Sequence, residues 1–451
     1  MVQEILAHNG DVLKFAGDAF LSMWKKTARL SMQDVVHNAI DCGLIIQKNY
    51  GTFTTDIGVV LKVKVAISAG LSQFSIIGDE NIAQSSFVIV GQPVWDVKMA
   101  QYLTKSGDVL TSGSAWKYVN EAEYCTQPCG DGRHTKVLGV GASWKRVEKL
   151  HEKIGEGSRL DSDTVGFPSK PNARYSEDIP AAAAAADIHF KEYSLRPAVI
   201  AAMRSSWWPG LCRFMVTPVL RAVENDEPMD FLTEVRRVVV VFLNIITKTV
   251  TPDVLINVVD TAYKHISSMT SQCGGLVNKV SMFDKDMMFL IVFGLRGLKH
   301  EDEAQHALLC AFQLKEHLAN ENIISTSVGI TSGTTYCGVV GHVLRREYTV
   351  IGPAVNKAAR LMTSYVDKVT CDKETFLRSK LDQEYFKQQE AKPLKGIAKP
   401  GPVYEFNKNG WPDRPLGSSH PILGRNEELR KFKMTLQNAL QQQTKAFTRY
   451  R

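Results

Sequence analysis

No stretch of this sequence is apolar for long enough to cross a bilayer. The longest strongly apolar run, Val238 to Ile246, falls well short of the roughly 20 residues a spanning helix needs. The chain opens without a basic head ahead of an apolar core, so a signal peptide is not expected. Cysteine is sparse: 8 residues are scattered through 451 with no disulfide-like framework, which suits a reducing compartment and predicts a cytoplasmic protein. No run of lysine and arginine with interleaved aromatics suggests nucleic acid as a partner. There is no Walker loop, no Gly-rich dinucleotide fingerprint and no Ser-His-Asp arrangement, so none of those sites is read here. One short Cys/His cluster exists, Cys125, Cys129 and His134. Its three residues fall short of the four ligands a structural zinc usually takes, and loop chemistry is the better reading.

What is present is ordinary for a soluble globular protein: 44% hydrophobic and 22% charged residues, with a formal net charge of +7. The charge suits an anionic small substrate, and a solvated surface explains it equally well. At this length two or three domains are expected, and four zones can be drawn. Residues 1–150 alternate strand and helix patterns, including strands at Val60 to Gly70 and Ser85 to Val90. Residues 151–234 form a connector, polar, Pro-punctuated and Ala-rich at first, with helical segments expected up to Glu224 and from Pro228. Residues 235–407 return to alternation. Residues 408–451 begin another unit.

An internal repeat organises the two alternating zones. Gly10 to Lys14 (GDVLK) is echoed by Gly275 to Lys279 (GLVNK), each followed by an aspartate, Asp18 and Asp284. KVKVAISAGLSQFSIIGDE is echoed by STSVGITSGTTYCGVVGHV, VIVGQPVWDVKMAQYL by TVIGPAVNKAARLM, and GDVLTS by DKVTCD, in the same order. One α/β unit therefore occurs twice. The second copy opens with the strand pattern RRVVVVFLNI, whereas the first has only MVQEILAHN before Gly10.

Several residues of the repeat could carry chemistry. The Gly-Asp of KFAGDAF marks a tight hairpin, with Asp18 either a turn residue or a metal ligand. Asn356 and Arg360 are four apart on a predicted helix and share a face. A carboxamide and a guanidinium there could orient a sugar and neutralise a phosphate, and a solvated polar face explains the same spacing. Lys279 sits in an otherwise apolar strand, as an edge residue reaching water or as a donor to a base ring. Asp284 and Asp286 read as turn carboxylates. Gly338 and Gly341 permit close backbone approach to a phosphate, or simply a turn. Thr349 faces a ligand or a neighbouring strand.

In combination, LKFAGDAF, NKVSMFD, GTTYCGVVGHVLRREYTVIG and AVNKAAR resemble the paired cyclase homology domains of class III nucleotidyl cyclases, and within them the bicarbonate-responsive soluble adenylyl cyclases. The resemblance covers most of residues 1–150 and 235–407. It implies an α+β fold of two ferredoxin-like domains, each a mixed sheet with helices, paired head to tail, the first truncated. It also implies a reaction: the ribose 3′-hydroxyl of ATP attacks the α-phosphate, giving cyclic AMP and pyrophosphate, with two divalent metals assisting. Mg²⁺ or Mn²⁺ is the implied cofactor, with Ca²⁺ as a further option.

By the same resemblance Asp18 matches a metal-binding aspartate. Lys279 and Thr349 match the pair that reads adenine, a lysine donor suiting the N1 acceptor of adenine better than guanine. Asn356 matches the residue that orients the ribose. Arg360 matches the arginine that stabilises the pentacovalent phosphate, and Lys64 a lysine reaching the terminal phosphates. The degenerate twin of the site binds a regulatory anion, bicarbonate, in the soluble adenylyl cyclases. Lys14 matches its lysine, and Lys98 stands where an arginine is usual, keeping the charge without the planar fork.

The family's first domain opens with a strand and turn carrying a second metal aspartate. Nothing matching it precedes Gly10, and the equivalent strand of the second copy carries Asn244. The expectations are impaired turnover in this chain, and exposed sheet edge and apolar surface in the first domain. PILGRNEELRKF resembles the start of a nucleotide-binding, NTPase-like module. Two alternatives stay open: a guanylyl cyclase, and a regulatory module that binds nucleotide without turnover.

Overall fold

A computed structural model describes residues 1–408 except 17–18, 79–83, 145–198, 249–250, 284–285, 320–321 and 343–344, together with residues 427–428, 430–431 and 434–435. Residues 1–407 form one compact unit and 408–451 another. In the second unit only short helical stretches are described. Most of PILGRNEELRKF, the Ala-rich tract and Asp18 lie outside the described residues.

The second repeat is built on an eight-stranded sheet. Its order runs Gly275–Phe283, Asp286–Phe293, Glu234–Thr247, Ile323–His342, Val369–Asp372, Val403–Phe406 and Phe386–Gln388, with Arg345–Ile351 also pairing with Ile323–His342. All neighbours are antiparallel except Ile323–His342 with Val369–Asp372. The Val-rich run that failed as a membrane span is the core of Glu234–Thr247: Val238, Val239, Val240 and Val241 are all buried. A strand paired on both sides and covered on both faces reads as continuous apolar sequence, not as alternation. Helices Pro252–Gln272 and Glu303–His317 turn apolar stripes inward, with Val259, Tyr263 and Ile266 buried on one and Ala307, Leu308 and Leu314 on the other.

The first repeat reproduces part of this plan. Val65–Ile67, Val109–Ser112, His134–Val140 and Tyr124–Pro128 form a four-stranded sheet with the same order and directions as the corresponding four strands of the second repeat. Even the cap after the parallel strand recurs: Ser112 accepts from Ala115 N, as Asp372 accepts from Thr375 N.

The hairpin of Asp11–Ala16 and Ala19–Met23 forms a sheet of its own, as do Gln73–Ile77 and Ser86–Val90. In the second repeat Glu234–Thr247 stands between hairpin and long strand and joins them. Among the described residues of the first repeat no strand does so. Among the described residues Val65–Ile67 is the end strand of its sheet, pairing on one side only, and it is half-buried to buried. The exposed apolar surface is partly covered. Ile5 of the short helix Val2–Ala7 is buried with Val12, Cys42 and Ile46, and Phe15, Phe20 and Trp24 pack on the same cluster.

The single strand expected from Val60 to Gly70 is two. Val60–Lys62 pairs with Thr52–Thr54, and Val65–Ile67 pairs with Val109–Ser112. The chain changes sheets at residues 63–64, where Val63 N bonds Gly51 O at 2.9 Å. Of the connector, residues 199–234 are described, including helices Trp208–Cys212 and Thr217–Glu224 and the turn Met229–Leu232, and Val216, Ala222 and Leu232 enter the second repeat's core.

Candidate active site

Three of the candidate residues, Lys14, Lys279 and Lys98, make contacts between the two repeats. Each hairpin carries the same irregularity on its incoming strand: the register slips between Val12 and Lys14 in one and between Val277 and Lys279 in the other. A bulge re-aims the side chain beside it, and here that side chain is a lysine both times.

The two lysines cross over. Lys14 Nζ donates to the carbonyl of Val280 at 2.6 Å and to that of Phe87 at 2.7 Å. Lys279 donates to the carbonyl of Phe15 and lies 3.3 Å from the Glu347 carboxylate. Val280 follows Lys279 and Phe15 follows Lys14, so the exchange is reciprocal. Glu347 also accepts from Phe15 N at 2.8 Å, and Arg345 pairs with Asp11 at 2.5 Å. Burial pushes Lys14 down to about 8 from an ordinary 10.5, the Glu347 charge opposing and the Lys279 charge adding. Burial pulls Lys279 down as well, against Glu347.

Strand Arg345–Ile351 presents two faces. Tyr348 and Val350 join the core of the second repeat. Glu347 and Thr349 therefore point the other way, two residues apart. Thr349 is buried and stands opposite Gly338. Lys279 is on the edge strand of its sheet, as an edge lysine reaching water would be, yet its side chain is only 11% exposed.

Helix Pro353–Ser364 holds the other candidates. Its buried residues are Ala358, Leu361 and Met362, whereas Asn356 and Arg360 are exposed together on the opposite face. The helix lies close to strand Ile323–His342: Thr331 donates to the Ala354 carbonyl at 2.8 Å, and a Cβ at Gly329 would collide with the Ala358 carbonyl oxygen.

The corresponding helix of the first repeat, Gln92–Leu103, has Trp95 where the repeat alignment puts Asn356. Its Lys98 is 3.1 Å from Asp286, so Asp286 pairs across the junction, beyond the turn role expected of it. Lys64 is exposed and donates to the Gln101 carbonyl at 3.1 Å. In the Cys/His loop, His134 Nδ1 is 2.5 Å from Asp131 and Cys129 N bonds the His134 carbonyl, a hydrogen-bonded turn. Among the described residues no three His, Cys, Asp or Glu side chains are placed to share a metal ion. The residue that sequence reasoning missed is Glu347. Its signal was its place two positions before Thr349 in an alternating strand.

Residues 233–407 match the family model described as adenylate and guanylate cyclase catalytic domain. The chain is 31% identical to human adenylate cyclase type 10 and 30% identical to the rat protein, over 98% of its own length and 26% of theirs. It thus spans about a quarter of these relatives. Among solved structures, the adenylyl cyclase CyaB from P. aeruginosa is 18% identical with a TM-score of 0.35, covering 41% of this chain and 97% of that one. A bacterial light-regulated adenylyl cyclase is 16% identical with a TM-score of 0.36, covering 61% of this chain and 82% of that one. Residues 233–407 thus match a cyclase catalytic domain, and the chain is similar to adenylate cyclase type 10 along nearly all of its own length.

Proposed function

We propose that this chain binds ATP between its two repeats and converts it to cyclic AMP and pyrophosphate. The observation that carries the reading is Lys279, buried at the junction with its ammonium directed from the second repeat toward the first. An ammonium there donates to N1 of adenine, where guanine has a donor of its own. Thr349 lines the same strand face. Asn356 orients the ribose. Arg360, exposed one turn further along, meets charge that builds on the α-phosphate as the 3′-oxygen bonds to it and the bond to the β-phosphate oxygen breaks. The hydroxyl proton leaves to solvent. Lys64 is the candidate for the terminal phosphates, once released from the Gln101 carbonyl.

The nucleotide enters with its divalent cation, Mg²⁺ or Mn²⁺, and Asp18 is the candidate protein ligand. The described residues complete no metal centre, so the roles above rest on side chains alone.

Lys14 and Lys98 are proposed as the anion site of the twin. Each already has partners, two carbonyls for Lys14 and Asp286 for Lys98. A bicarbonate response should therefore be weak.

The test is product analysis with Mn²⁺ and ATP. Equal amounts of cyclic AMP and pyrophosphate are expected, with the rate falling about 10²–10³-fold in Arg360→Ala, as for a lost oxyanion donor. ATP binding without product favours the regulatory module, and cyclic GMP as the main product from added GTP favours the guanylyl cyclase.

A further inference from the structure

The connector and the first repeat together line a cavity of about 590 Å³. That is within the range of small-molecule sites, about 300–1,000 Å³. None of the residues given a part in the reaction lines it. One wall is Ile76 of strand Gln73–Ile77, and the other is Trp207, Leu211 and Phe214, in and around helix Trp208–Cys212. All four are exposed, Ile76 at 60% and Trp207 at 61%. Single exposed apolar side chains are ordinary, but four around one hollow mark a binding surface. The hollow also has a polar end. Ser85 and Arg213 line it, and Ser85 N donates to the Arg213 carbonyl at 2.6 Å. Ser85 is 4% exposed, and its Oγ has no hydrogen-bond partner. Arg213 Nε is buried without a partner as well, and among the described residues no carboxylate pairs with the Arg213 guanidinium. A buried donor left unmatched costs the fold until something takes its hydrogen bond.

We infer that this cavity binds an amphipathic monocarboxylate of the medium-chain fatty-acid class, its carboxylate on Arg213 and Ser85 and its alkyl chain between Ile76 and the wall of Trp207, Leu211 and Phe214. The inference is independent of the ATP reading. A guanidinium fork matches a planar oxyanion, and one carboxylate balances its single charge. A phosphate monoester brings nearly two charges, the second of which nothing in an apolar wall answers. Water satisfies the polar end but leaves the apolar walls wet, whereas a carboxylate with an alkyl chain answers both. The cavity also sits at a joint. Beside Ser85, Gln84 Nε2 donates to the Val277 carbonyl at 2.7 Å, and Gly78 N donates to Asp260 at 2.8 Å, both in the second repeat. A chain bound here braces the connector and this part of the first repeat against the second, and it stabilises the fold by mass action.

The test is calorimetric titration of the full chain with hexanoate, octanoate and decanoate, and with decanol and decyltrimethylammonium, all below their micelle concentrations. Decanoate should bind one to one and raise the melting temperature. Affinity should climb about fourfold per added methylene along the carboxylate series, the increment for burying one such group. Decanol should bind more weakly than decanoate by about 10–100-fold, the range for a hydrogen bond between charged groups, and decyltrimethylammonium more weakly still. Arg213→Gln should lower decanoate affinity by the same factor and leave decanol unchanged. Leu211→Glu places a charge in the tail wall at an exposed position, so it should melt near the native temperature and lose both ligands; it decides the matter if Arg213→Gln fails to fold. Absence of decanoate binding to the native chain overturns the inference. So does binding that is equal for decanoate and decanol, or that both variants leave unchanged.

Discussion

Lys14 donates to the carbonyl of Val280, the residue after Lys279, while Lys279 donates to the carbonyl of Phe15, the residue after Lys14. Two copies of one hairpin thus exchange the same contact in opposite directions. The sequence difference between the copies lies around this exchange, not in it. The second copy's lysine lies beside the Glu347 carboxylate. The first copy's lysine donates to the Phe87 carbonyl and lies over the Phe87 ring.

The helix that carries Asn356 and Arg360 is held against the sheet through a glycine. A methyl group at Gly329 would strike the Ala358 carbonyl oxygen and lie close to Met362 N. Gly329→Ala should cost about 1–3 kcal/mol of stability, the usual range for overpacking. It should also lower turnover more than it weakens ATP binding, because Arg360 shifts with the helix. Urea unfolding and steady-state kinetics check this, and unchanged values in both contradict it.

Asp286 competes with any anion for Lys98, at 3.1 Å. Asp286→Asn removes the carboxylate at a half-buried strand end. Bicarbonate binding, or stimulation by bicarbonate, should strengthen several-fold in this variant. A titration of cyclic AMP output against bicarbonate measures it. Equal responses in the two proteins would remove Asp286 from the account of the twin site.

Lys14 gives a pH signature. Burial holds its ammonium at about 8 in the folded chain, against an ordinary 10.5. Between these values the unfolded chain binds a proton that the folded chain has lost, so stability rises with pH across that window. Below pH 8 both states are protonated and the fold bears the full cost of a buried charge. Lys14→Met removes this slope. The melting temperature of the native chain should climb relative to the variant from pH 8 to 10, and a constant gap would contradict the assignment.

Much of this was readable beforehand because the repeat aligned one copy with the other. The correspondence of Lys14 with Lys279, the shared face of Asn356 and Arg360 and the order of the motifs along the chain all follow from local pattern and duplication. Glu347 did not stand out, since its importance comes from Phe15, far away in sequence and contributing only main-chain atoms. Asp286 read as a turn residue for the same reason, its partner Lys98 being on another element. The break at residues 63–64 was hidden inside an alternating VLKVKVAI run. Alternation specifies a strand but not which sheet it joins, and here the partner changes midway.

The most direct test of the central claim is the product made from an equimolar mixture of ATP and GTP with Mn²⁺, by the native chain and by Lys279→Met. Both cyclic nucleotides are quantified by mass spectrometry. A base read at Lys279 predicts cyclic AMP over cyclic GMP by at least about tenfold in the native chain, following the loss of a charged hydrogen bond, and a collapse of that ratio in the variant. Equal products from the native chain, or a ratio untouched by Lys279→Met, would contradict it.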